Sequence, residues 1–140
     1  MKDKIEVGEY VRTKDGRIDK VDRYSIGCCV YHCKNGMCID ECETVGIPIS
    51  DIKKHSSNIK ELVEEGDIVK LEYYVRKYGK RITRRFEIKN ISDEVLYFDN
   101  RYCSFCYDLK QHLWRDGKGY NPKLKSIVTK EQFKNREYLI

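Results

Sequence analysis

Short stretches in which apolar and polar residues alternate run through much of the chain, and a period of two is typical of half-buried β-strands. The clearest stretch is residues 67–76, where every second side chain from Val69 onward is apolar. A turn at Tyr78–Gly79 and a return strand over residues 81–89 complete a predicted hairpin. Arg84 falls in the inward register of that strand, which predicts a β-bulge beside it.

Two dipeptides predict further hairpin turns. Asp15–Gly16 and Asn35–Gly36 are each flanked by residues that suit strands. Both dipeptides favour a type I′ turn, which needs positive φ at its two central residues. The flanking strands are predicted at residues 9–14 and 17–22 for the first turn and 28–32 and 37–42 for the second, with another short strand at 95–98.

Capping residues and apolar spacing predict three short helices. Asn58 begins one over residues 58–65, where Glu61 would complete a capping box. The other two are a segment at about residues 104–114, with helical spacing at Phe105, Leu109 and Leu113, and a single turn around Phe133 that Thr129 and Gln132 would cap.

These elements predict one domain over residues 1–140, mainly β with short helices (α+β). Short strands joined by tight turns favour a small, partly open β-barrel, SH3-like first and OB-like second. The chain contains no alanine, the best helix former, which agrees with a preference for sheet. A cysteine-rich insertion is expected at about residues 27–43. The sequences at 7–12 and 65–70 resemble each other, which indicates two hairpins of similar type.

The strongest chemical feature is the charge of the hairpin between Lys70 and Lys89. The chain has 28 Lys and Arg against 23 Asp and Glu, a formal charge of +5, and basic residues outnumber acidic ones in this segment. Positive charge interleaved with tyrosine suits a phosphate backbone with stacked bases, or an acidic groove on a protein. The alternatives are a solvated face with cross-strand ion pairs and protection of a sheet edge. The candidate binding residues are Lys70, Tyr74, Arg76, Lys77, Tyr78, Lys80, Arg81, Arg84, Arg85 and Lys89.

The second feature is a set of seven cysteines. An odd number without a secretory signal argues against a disulfide framework. Cys103 and Cys106 have the two-residue spacing that suits zinc, and Cys33 and Cys38 around a turn could supply the second pair. The alternative is buried thiols without a metal, since free cysteine is among the most buried residue types. Structural zinc is therefore the one cofactor that the sequence suggests.

Motifs of common enzymes are missing from the sequence. It contains no Walker loop, no dinucleotide-binding fingerprint and no zinc-protease motif. His32 and Cys33 are adjacent on a predicted strand and would face opposite sides, so they do not form a nucleophile–base pair. We therefore expect no catalytic residues. With no apolar run of signal or membrane-spanning length, we also expect a cytoplasmic protein without a membrane partner.

Three segments resemble small uncharacterised phage and prophage proteins of AT-rich Gram-positive bacteria. They are Val7 to Ile18, Ile52 to Asp67, and Lys125 to Phe133. The resemblance implies an origin in a mobile element and a site of action in the host cell. It also implies binding to a host protein or nucleoprotein complex, since small phage proteins often act in this way.

Composition and resemblance together lead to one main functional hypothesis. It is a non-enzymatic binding protein that inhibits a host defence complex through protein–protein contacts, in the manner of an anti-CRISPR protein. The first alternative is a nucleic-acid-binding β-barrel that uses the basic hairpin. The second is a protein that sequesters a small anionic signalling molecule.

Overall fold

The computed structural model describes residues 4–44, 46–98, 106–109 and 119–137, with side chains from residue 122 onward in the last range. The chain divides into two compact units, one ending at Leu62 and the other beginning at Val63. We call them unit 1 and unit 2 and describe each by itself. The expectation that the two act as one domain stays a prediction. The chain is mainly β-structure, as predicted, and its sheets are not closed into a barrel.

Unit 1 contains one six-stranded sheet in the order β5-β4-β3-β2-β1-β6. The first four strands form a meander, and β6 returns to pair with β1. One 3-10 helix leads into β6 and another follows it. The elements are β1 (Tyr10–Thr13), β2 (Ile18–Ser25), β3 (Val30–Cys33), β4 (Cys38–Asp40), β5 (Ile47–Pro48), a 3-10 helix (Ile49–Asp51), β6 (Ile52–Ser56) and a 3-10 helix (Ile59–Leu62).

The core of unit 1 lies on one side of this sheet. Val11, Val21, Tyr31 and Ile39 are almost fully buried there, one from each of the first four strands. Each such side chain contributes about 1.5–3 kcal/mol relative to an exposed one. Alternating burial along the strands therefore fixes which face points inward.

Unit 2 contains two three-stranded sheets, in the orders β12-β7-β8 and β11-β10-β9. The strand β7 lies between β8 and the long strand β12, and the buried side chains of Val69, Leu71 and Ile127 face the core. The elements are β7 (Ile68–Val75), β8 (Lys80–Glu87), β9 (Asn90–Ser92), β10 (Val95–Tyr97), β11 (Cys106–Asp108), β12 (Gly119–Val128) and the helix α1 (Lys130–Lys134).

The predicted bulge beside Arg84 is wrong. The β7–β8 register runs without a shift from Ile68 opposite Glu87 to Val75 opposite Lys80. Arg84 pairs with Leu71 on the core-facing side, yet it is exposed. Because β8 lies at the edge of its sheet, a long arginine there reaches solvent without a break in the ladder.

Both predicted glycine turns are present, but neither is type I′. Gly16 and Gly36 have φ of +92° and +89°, and the residues before them are not in the left-handed region. At the first turn, Arg17 N donates to Thr13 Oγ1 at 2.9 Å, which closes a longer loop. A two-residue connection with positive φ at both positions occurs instead at Asp93 and Glu94.

Replacing Glu94 with glycine is expected to stabilise the protein. Its φ of +63° lies in the left-handed region, which costs a side-chain-bearing residue about 1 kcal/mol that glycine does not incur. Urea denaturation should show this gain for Glu94→Gly. The matched control Ser92→Gly, in the neighbouring strand, should lose about 0.5–1 kcal/mol. A loss for Glu94→Gly as well would contradict the left-handed conformation.

The helix predicted at residues 58–65 is shorter and is a 3-10 helix. Lys60 N donates to Asn58 Oδ1 at 3.1 Å, so the predicted cap is present. Glu61 does not complete a capping box, because its carboxylate accepts from Ser56 Oγ at 2.8 Å. At α1 the predicted capping box is confirmed, since Thr129 and Gln132 each accept from the other's backbone, at 3.1 and 3.2 Å.

The helix predicted at residues 104–114 is wrong at its centre. Residues Cys106–Asp108 form β11, and Tyr107 pairs with Leu96 of β10. Cys106 and Tyr107 are both fully buried, so pairing and burial outweigh the local helical spacing. The rest of that segment beyond Leu109, and the strand predicted at 138–140, lie outside the described residues. In the described part of the chain, no helix is long and apolar enough to cross a membrane.

The two similar sequences open the two units with the same turn. Gly8 and Gly66 have φ of +95° and +92°. The acidic residue after each glycine is buried and accepts from a backbone N–H three residues earlier. Glu6 N donates to Glu9 Oε1 at 3.1 Å, and Glu64 N donates to Asp67 Oδ2 at 2.9 Å.

The same two turns are fastened to the next strand in the same way. Gly8 N donates to Val21 O, and Val21 N donates to Glu9 O, both at 2.8 Å. Ile88 makes the two equivalent bonds with Gly66 and Asp67, also at 2.8 Å. In each unit the first strand then pairs with a later returning strand, which a short helical turn follows. The two units therefore share one arrangement of strands.

Candidate binding face

One side of the β12-β7-β8 sheet carries the charged residues that the sequence singles out. Directly paired residues of neighbouring antiparallel strands have their side chains on the same face. Tyr74 pairs with Arg81 and Lys70 with Arg85, so these four side chains share a face opposite the buried core side. Lys123 of β12 pairs with Glu72 on this face. We call this surface the basic face: Lys70, Tyr74, Arg81, Arg85, Lys123 and Lys125.

The other candidate binding residues lie around this face. Lys80 and Arg84 are exposed on the opposite side of β8. Tyr78, which is 53% exposed, lies in the turn between β7 and β8. That turn also holds Arg76 and Lys77. Beyond β8, Lys89 Nζ lies 3.0 Å from Glu87 Oε2. The structure therefore brings four of the ten predicted residues onto one surface and places the rest at its rim or behind it.

A carboxylate sits at the centre of the basic face. Glu72 lies 3.3 Å from Arg81 Nε and 3.2 Å from Lys125 Nζ. The hydrogen bond from Lys125 lowers the pKa of Glu72 below its ordinary value, so this side chain is ionised at neutral pH. Cross-strand ion pairs, one alternative considered for this hairpin, are thus present. Five cationic side chains still surround this one central carboxylate.

The helix α1 marks one end of the basic face. The Arg85 guanidinium lies over the Phe133 ring, 5.8 Å from its centroid. Lys130 Nζ lies 3.9 Å from Glu87 Oε1. At this end Ile68 is also buried. The accessible part of the face therefore extends from Arg85 towards the turn that contains Tyr78.

The predicted zinc ligands are only partly described. Cys33 is buried and Cys38 half-buried on neighbouring strands of unit 1, where Cys38 Sγ lies 3.7 Å from His32 Nδ1. Burial raises the pKa of Cys33 to about 12, which opposes the thiolate form. Cys106 is fully buried in unit 2, and Cys103 lies outside the described residues. Where residues are described, no three potential ligands cluster, and zinc stays a prediction.

A buried acid–imidazole pair was missed by the sequence analysis. His55 Nδ1 lies 2.8 Å from Glu9 Oε2, and their side chains are 6% and 3% exposed. Alternation around His55 was the only local signal, because its partner is 46 residues away. The neighbouring Ser56 hydroxyl donates to Glu61, so its proton is not directed at the imidazole. This arrangement fastens β6 to the start of β1 and does not form a nucleophile–base pair.

A surface cavity of about 410 Å³ lies beside this pair in unit 1. Its lining includes the carboxylates of Glu9 and Glu61 together with Lys54 and His55. The mixed charge does not favour a small anionic ligand.

Comparison with known proteins adds no identification. No family model, curated protein or solved structure matches the chain.

Proposed function

We propose that this is a non-enzymatic binding protein whose basic face contacts an acidic surface of another protein. The observation that carries the proposal is the grouping of Lys70, Tyr74, Arg81 and Arg85 on one side of a regular sheet. Arginine and tyrosine are enriched among the residues that dominate binding energy at protein interfaces. A rigid sheet also holds such side chains in place before the partner arrives, which lowers the entropy cost of binding.

The position of Glu72 favours a protein partner over a nucleic acid. A phosphate backbone is a continuous line of negative charge, and it would pass close to this ionised carboxylate. A protein surface has separate charges, so it can oppose the arginines and lysines and still place a donor near Glu72. Nucleic acid is therefore an outcome of the test below.

The proposed partner is a host defence complex, in the manner of an anti-CRISPR protein. The support is the resemblance of three segments to phage and prophage proteins. The strand order of unit 1 supports an open, SH3-like sheet as the finer description of its fold. Its first four strands are consecutive neighbours, and the last strand returns beside the first after a 3-10 turn.

Affinity capture tests this function. The full chain, immobilised, is exposed to a nuclease-treated lysate of an AT-rich Gram-positive bacterium. We expect one protein complex to be retained in stoichiometric amount at 0.1 M salt. It should be released towards 1 M salt, because the screening length falls from about 10 Å to about 3 Å. Loss of the partner on nuclease treatment, or tight binding of bare DNA or RNA at about 0.15 M salt, would show a nucleic-acid-binding protein. Repeated failure across hosts would contradict both.

A further inference from the structure

The strand β8 occupies one edge of its sheet. It pairs with β7 on one side over its full length, from Lys80 to Glu87. Among the residues that the structure describes, no strand pairs with its other side. Eight residues of strand span about 27 Å, which is long for an edge that carries no bulge. Such an edge presents backbone donors and acceptors to an added strand.

The side chains of β8 place positive charge on both faces of this edge. Arg81 and Arg85 lie on the basic face, four residues apart, with Thr83 between them. Lys80 and Arg84 lie on the opposite face and are exposed. An added strand would therefore have cationic side chains beside it above and below the sheet. No acidic side chain intervenes on β8 before Glu87 at its end.

This charge selects among the strands that could pair here. A second copy of β8 would place arginine beside arginine, and like charges opposite one another are destabilising. Lysine and arginine on an edge are a known means of preventing such pairing. An acidic strand meets the opposite situation, since each glutamate or aspartate would lie near a cation across the pair. The same residues thus exclude self-association and favour one class of partner.

We propose that the outer edge of β8 binds an extended acidic segment of the partner protein, which adds to the β12-β7-β8 sheet as a fourth strand. This inference rests on the proposed function and specifies how the partner binds. Backbone hydrogen bonds along β8 supply affinity, and the paired charges supply selectivity. The exposed Tyr74 and Tyr78 lie near the end of the edge at the turn, where they offer apolar contact to the incoming chain.

The test uses two labelled peptides of eight residues in which glutamate alternates with valine. One has a normal backbone, and the other is N-methylated at every residue, which keeps the four charges but removes the backbone donors. Fluorescence anisotropy with the full chain should show micromolar binding of the normal peptide. Binding of the N-methylated peptide should be at least tenfold weaker. Equal affinity for the two, or no binding of the normal peptide at 1 mM, overturns strand addition.

Variants of the chain separate this inference from the proposed function. Arg81→Glu with Arg85→Glu should weaken the normal peptide at least tenfold, while Lys14→Glu with Lys34→Glu, in unit 1, should leave it within twofold. If both peptides bind equally and the arginine variant weakens both, strand addition fails and binding through the basic face survives. If the arginine variant binds as the parent does, both fail. Analytical ultracentrifugation should show no dimer that these arginines control, and such a dimer would make a second copy the occupant.

Discussion

Reversing Arg76, Arg81 and Arg85 to glutamate is expected to abolish binding of the captured partner, with affinity falling more than 100-fold. At a desolvated interface each reversal leaves a partner charge unpaired or opposed, at a cost of about 2–5 kcal/mol. Since about 1.4 kcal/mol corresponds to a factor of ten, even the lower end for three sites exceeds that loss. Binding of the purified partner, measured by calorimetry, checks the expectation.

The same variant should remain folded. Exposed ion pairs contribute about 0–1 kcal/mol each, and the one loss that the structure shows is at Arg81, which lies 3.3 Å from Glu72. A new carboxylate there would repel Glu72, so we expect the melting temperature to fall by no more than about 5 °C. Unfolding of the triple variant would show that these residues are structural.

A matched control separates the position of the charges from their number. Lys14, Arg23 and Lys34 are exposed residues of unit 1. Reversing these three also changes the formal charge by six, from +5 to −1. This control should bind the partner within about threefold of the parent, since exposed charges far from an interface act only through screened, long-range attraction. Equal binding by both triple variants and the parent would identify the basic face as a solvated surface.

Replacing Glu9 with alanine is expected to cost about 3 kcal/mol of stability, a large effect for a single surface-distant substitution. One carboxylate oxygen accepts from Glu6 N and the other lies 2.8 Å from His55 Nδ1. Removing a partner from a buried pair leaves the remaining polar groups without compensation. The substitution would also loosen β6 from β1, because His55 lies directly opposite Val11 in that pairing.

Urea denaturation measures this loss against a control. Asp22→Ala removes an exposed carboxylate from the neighbouring strand β2 and should change stability by less than about 0.5 kcal/mol. Glu9→Gln should fall between the two, because an amide oxygen can still accept from Glu6 N. If Glu9→Ala loses no more than Asp22→Ala, the pair does not fasten the strands as described.

The hairpins could be predicted from the sequence because their signals are local. Alternation over residues 67–76 gave β7, and the Thr129–Gln132 spacing gave the cap of α1. The face shared by Tyr74 and Arg81 also followed from alternation, since a regular ladder keeps every second residue on one side. That is why four of the ten predicted binding residues lie together.

What could not be predicted depends on residues distant in the sequence. The two returning strands, β6 and β12, show weak alternation and take their conformation from pairing with β1 and β7. In β12, Pro122 lies where the register shifts, at a sheet edge that tolerates proline. The Glu9–His55 pair joins residues 46 positions apart, and no local pattern marks such a pair. Turn type depends on φ, which the Asp15–Gly16 sequence alone did not determine.

Hydrogen–deuterium exchange of the full chain, alone and with its captured partner, tests the central claim most directly. We predict that the partner slows exchange in peptides covering residues 70–87, on strands β7 and β8, and leaves peptides from β1 to β4 of unit 1 unchanged. Protection confined to unit 1, with residues 70–87 exchanging as in the free protein, would contradict binding through the basic face.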